Sequence, residues 1–163
     1  MMSTREYFSK TFTNEWPVFV KVLRALPADK LDYKPHEKSS AAGDIAWFLA
    51  NELGCLNAAI ASGRSDFPEA PRPATLDAIV SAYEKEARDL EQHVSAADDA
   101  KWQSKAGMYF RDKLITEMVI EDLFWNFLHD AIHHRGQLSA YLRPMGGKVP
   151  AIYGPSGDEK GSL

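Results

Sequence analysis

Four stretches of this chain repeat apolar side chains at helical spacing, and almost nothing between them alternates as a strand would. That periodicity limits the fold more than any other feature. Residues 4–26 place Tyr7, Phe8, Phe12, Trp16, Phe19, Val20 and Leu23 on one aromatic stripe, with Pro17 marking a kink or a late start. Residues 41–62 turn Ile45, Phe48, Leu49, Leu53, Leu56 and Ile60 inward, with Ser39 or Ser40 placed to cap the helix and Gly63 to end it. Residues 75–94 bury Leu76, Ile79, Val80, Tyr83, Ala87, Leu90 and Val94, and leave Glu84, Lys85, Glu86, Arg88 and Asp89 to solvent. Residues 116–143 form the fourth helix, capped by Thr116 and stopped by Pro144 and Gly146-Gly147. The expectation is an all-α four-helix bundle, one domain over residues 1–163.

The connections are less determined. Residues 64–74, rich in proline, read as a structureless link, and residues 98–115 as either a short hairpin or an irregular loop. A net charge of −4 and no basic stripe argue against a nucleic-acid partner. The single cysteine, Cys55, excludes an intrachain disulfide and reads as inert packing. No apolar leader is present and no run approaches membrane-spanning length, so the cytoplasm is the expected compartment and no membrane partner is expected.

The fourth helix carries the chemistry. Its segment 121–147 holds His129, His133 and His134 within six positions. At about 100° per residue, His134 leans toward the apolar face with Asp130 one turn before it, whereas His129 and His133 lean outward. Side chains at i and i+4 can reach one metal ion, which makes Asp130–His134 the inward pair and His129–His133 the runner-up. Glu52, on the second helix, is the best inward candidate for a third ligand. A nitrogen and carboxylate donor set suits zinc, nickel, iron or manganese. The competing reading is a polar network in which Asp130 and His134 pair with each other or with Arg135. His93 is placed to interact with a helix dipole and His36 to be solvated in a loop.

The motifs HHRGQLSAYLRPMGG, KVPAIYGPSGDE and YKPHEKSSAAGDIAWFLANE together resemble the DinB family, also called DinB/YfiT-like metalloenzymes, over nearly the whole chain. The resemblance implies a four-helix bundle, commonly a homodimer. It also implies a divalent metal held by one histidine on the second helix and two on the last. Carried over by position, the last-helix pair falls on Asp130 and His134, and the second-helix position is Phe48. Phenylalanine offers no donor atom. Two functions follow from the resemblance. One is a metal-dependent enzyme, a thiol-dependent transferase or a small-substrate hydrolase, with His133 or Tyr153 assisting proton transfer. The other is a metal-free bundle that binds a small ligand or acts as a dimeric interaction module.

Overall fold

The computed structural model describes residues 1–160. The chain is mostly helical: α1 Thr4–Arg24, α2 Ala42–Ser62, α3 Leu76–Ala96, α4 Asp99–Trp102 and α5 Ile120–Leu142. A small sheet of β1 Arg64–Asp66, β2 Lys105–Phe110 and β3 Lys113–Val119 joins them, in the order β1-β2-β3. The expectation of an all-α chain is therefore corrected. β1 pairs parallel with β2 and β2 antiparallel with β3, and α3 lies in the crossover between the parallel strands.

The long helices share one core. α2 packs on α3 and α5, and α1 packs on the same two. Phe8 is its aromatic centre, with Phe12, Trp102, Phe124 and Trp125 around its ring. α1 starts on a capping box: Glu6 N donates to Ser3 Oγ and Ser3 N to Glu6 Oε2. The helix runs straight through Pro17, which is exposed, so the carbonyl that loses its amide partner can be met by water.

α2 starts without a serine cap. Ala42 N and Gly43 N instead donate to the carbonyls of Tyr33 and Leu31, which satisfies the helix start from the preceding loop. Gly63 ends it in the left-handed region, φ 75°, as its position implied. This helix is long and apolar enough to span a bilayer by length and composition, contrary to the reading from sequence. Its apolarity has a local cause, because most of that stretch is buried among the other helices.

The start of the last helix also differs. Thr116 and Glu117 lie in β3, not at a helix cap, and α5 begins at Ile120 with Glu121 and Asp122 in its first turn. The undecided segment is a hairpin, turning through Arg111 and Asp112 at φ 48° and 61°. Only the first residues of the proline-rich link are ordered as a strand, β1, which fills the sheet edge beside β2.

Candidate functional site

α2 and α5 meet where the chemistry was expected. His134 is 24% exposed and turns toward α2, where the Phe48 ring meets it edge-on with centroids 5.1 Å apart. Its Nε2 lies 3.3 Å from Asp130 Oδ2, one turn earlier on α5, and its Nδ1 lies 2.8 Å from Gln137 Oε1. Both partners are acceptors, so the ring donates to both only when it carries two protons. Gln137 was not picked out from the sequence, although its i+3 spacing from His134 was there to be read.

Glu52 stands one turn after Phe48 on α2 and is 6% exposed. Its carboxyl touches that of Asp130, and its Oε2 has no donor within reach. Burial first, and then the hydrogen-bonding contact and negative charge of Asp130, push the Glu52 pKa up to about 9. At neutral pH Glu52 is therefore a neutral acid. The structure thus strings Glu52, Asp130, His134 and Gln137 into one polar chain, which runs from the core to the half-exposed edge of α5.

Two spaces flank this chain. Inside, a cavity of about 10 Å³, room for a single water, is lined by Glu52, Phe12, Phe19, Tyr83 and Phe127 among others. Outside, a cleft of about 340 Å³ is bounded by Ser40, Asp44, Ile45, Phe48 and His134. Arg72 shapes its rim through ion pairs with Asp44 (3.2 Å) and Asp32 (2.5 Å). That guanidinium lies against Gly43, where a Cβ would come within 1.9 Å of Arg72 Nη1. Glycine there lets the guanidinium lie directly on the α2 backbone, and Leu31 Cβ, 2.9 Å from the same Cβ position, crowds it from the preceding loop.

The remaining candidates lie elsewhere. His129 and His133 are exposed, the first beside the Trp125 ring at 6.0 Å and the second against His134 at 5.3 Å. Arg135 does not join Asp130 and His134. It is buried on the other side of α5, donating to Glu15 Oε2 at 2.6 Å and to the Tyr153 hydroxyl, with its guanidinium over the Phe19 and Tyr153 rings. Tyr153 is accordingly engaged with Arg135 and Glu15 rather than with His134. His93 Nδ1 meets Asn57 Oδ1 at 2.9 Å, and His36 is exposed in its loop. Cys55 is buried, and burial pushes its thiol pKa up, away from reactivity.

The donor set does not fit a resident metal ion. Among the described residues no group of three or more His, Cys, Asp or Glu side chains is gathered closely enough to hold one. The position facing His134 from α2 is the hydrocarbon ring of Phe48, which offers no donor atom.

Comparison with known proteins agrees with this architecture. The family model described as DinB family matches residues 1–160. An uncharacterized protein of Bacillus subtilis, YrdA, is 22% identical over 160 residues, covering 98% of this chain and 93% of that protein. Among solved structures, a DinB-like protein from Bacillus cereus superposes with a TM-score of 0.74 at 20% identity, covering 90% of this chain and 95% of that one. A second DinB-like protein, from Bacillus subtilis, gives a TM-score of 0.70 at 15% identity, over 87% of this chain and 93% of the other.

Proposed function

The chain belongs to the DinB family, and from that premise we propose that it is a metal-free member of the four-helix-bundle type whose α2–α5 cleft binds a small molecule. The observation that carries this reading is the cleft of about 340 Å³ that exposes His134 beside Phe48. Its volume lies in the range of small-molecule sites, and its walls mix apolar and polar groups as such sites do. Ile45 and Phe48 offer an apolar seat, and His134, backed by Asp130 and Gln137, offers a hydrogen-bonding head. The ligand that matches is small and amphipathic, with a flat or branched apolar body and one polar group. The homodimer implied by the resemblance belongs to the same proposal, with the outward face of α5 around His129 and His133 left free for a second copy.

Chemical-shift mapping on tag-free protein tests the cleft, with benzylamine and benzoate as probes of opposite charge. One of them is expected to shift Ile45, Phe48 and His134 saturably, and His134→Ala to weaken that binding about tenfold, the loss of one charge-assisted hydrogen bond. Shifts scattered over the surface, or none at the cleft with either probe, would overturn the reading. The metal-dependent transferase or hydrolase is the other outcome of the same preparation. It requires about one divalent ion per chain, lost in His134→Ala.

A further inference from the structure

We propose that a second cleft, on the flank of α2 that faces α3 and β1, is a binding site for an organic cation, an amine carried on a small apolar body. The cleft holds about 270 Å³ and shares no lining residue with the one between α2 and α5. Its volume is close to the lower end of small-molecule sites.

Gly54 is the observation that points to an occupant. It stands in the middle of α2, where glycine is distinctly less favourable than alanine. Its φ is not positive, so no left-handed turn calls for it. Packing does not call for it either. A Cβ built there would meet only Glu86, with Oε2 at 3.8 Å and Cδ at 4.0 Å, which is ordinary van der Waals contact. Gly43 on the same helix is the contrast, since a Cβ there would run into Arg72 and Leu31. At Gly54 the missing methyl leaves the helix backbone open to the cleft, the use glycine has where a ligand approaches the main chain closely.

The rest of the lining fixes the kind of ligand. Trp47 supplies one wall, and its indole N–H donates to Ala70 O at 3.2 Å, which ties the link after β1 to the helix. Two carboxylates, Glu86 on α3 and Asp66 on β1, line the cleft, and no cationic side chain does. Their cations, Lys85 and Arg64, stand outside the lining and are 66% and 43% exposed. Asn57 Nδ2 holds Glu86 in place, donating to its Oε2 at 2.8 Å and its backbone carbonyl at 3.0 Å, while Asn57 Oδ1 meets His93. Arg64 holds Asp66 through Nε at 2.8 Å and Nη2 at 2.7 Å. An ionised carboxylate has about four acceptor sites, so these contacts orient both groups without saturating them. An indole and two carboxylates attract a cation and disfavour an anion. Ala50, Ala82 and Pro68 complete the walls with hydrocarbon for the apolar body.

NMR titration of tag-free protein with benzylamine, benzyl alcohol and benzoate tests this, because the three probes are similar in shape and differ in charge. Benzylamine is expected to shift the Trp47 indole N–H and the Gly54 amide saturably, with the other two probes weaker there by about tenfold or more. Glu86→Gln keeps an acceptor for Asn57 and should weaken benzylamine about tenfold. Gly54→Ala separates a ligand role from a structural one. It should raise the thermal midpoint by about 3 °C and at the same time weaken benzylamine. The proposal is overturned by equal affinity for all three probes, or by no saturable shift at Trp47 and Gly54. It is equally overturned by unchanged affinity in either variant, or by a midpoint that falls in Gly54→Ala. Signals from Ile45, Phe48 and His134 report the α2–α5 cleft in the same titration, so either site can fail without the other.

Discussion

At the scale of single residues, Glu52 makes the clearest demand on the rest of the protein. Its folded pKa of about 9 stands against an ordinary value of 4.5. Between those values the folded chain holds a proton that the unfolded chain has released, so Glu52 lowers stability as pH rises through this window. Its contribution is most favourable below the unfolded value and is lost on passing the folded one. The slope for one such proton is about 1.4 kcal/mol per pH unit. Glu52→Gln keeps a donor for Asp130 at every pH. Urea unfolding of this variant should therefore show the Glu52 slope removed between pH 5 and 9, and higher stability than wild type at pH 9. Parallel pH profiles for the two proteins would mean that Glu52 is ionised in the fold. The same residue shows what sequence alone can convey. Its inward phase was legible from α2 spacing, as was the Asp130–His134 pair from α5. That Glu52 touches Asp130, while Arg135 turns away to Glu15, depends on how two helices rotate against each other, which no single-helix period encodes.

At the scale of elements, the helices were readable because each long apolar stripe has one way to be buried. Ends were readable where backbone chemistry forces them, as at Gly63, and less so where tertiary partners intervene. The α2 start depends on the carbonyls of Leu31 and Tyr33, so the serines before it were misleading. The hairpin was obscured for a different reason. Most of β3 faces solvent and alternates poorly, and an irregularity between Met108 and Tyr109 shifts its register. Its turn also lacks the Asn-Gly signature, since Arg111 and Asp112 both take positive φ. Salt bridges from Arg111 to Glu69 and from Arg64 to Asp112 hold the turn against β1 and the segment after it, but all four side chains are well exposed and such pairs contribute little. Conformational strain should therefore dominate. The double substitution Arg111→Asn with Asp112→Gly, which installs the dipeptide this turn favours, is expected to raise stability by about 1 kcal/mol. A drop in the thermal midpoint would show that the two ion pairs outweigh the strain.

At the scale of the whole molecule, one side chain ties together parts of the chain that are far apart in sequence. Arg135 on α5, Glu15 on α1 and Tyr153 in the C-terminal segment form a closed set, with Tyr153 also donating to Glu15 at 2.9 Å. The segment around Tyr153 is fastened a second time, where Asp158 accepts from Arg143 and from Val149 N. The guanidinium is 3% exposed and Glu15 is 14% exposed, so this pair, unlike the surface ones, is poorly screened by water. Removing one partner strands the other charge. Arg135→Leu should cost about 3 kcal/mol, because Glu15 would keep only the Tyr153 hydroxyl. Tyr153→Phe leaves the ion pair whole and should cost about 1 kcal/mol, the value of a hydrogen bond. The two losses should not add in the double variant, because Tyr153 loses its main partner once Arg135 is gone. Limited proteolysis supplies the spatial readout. If Arg135 is the fastening point, cleavage in residues 148–160 should accelerate in Arg135→Leu well before α5 itself becomes susceptible, whereas uniform digestion would place the loss in the core instead.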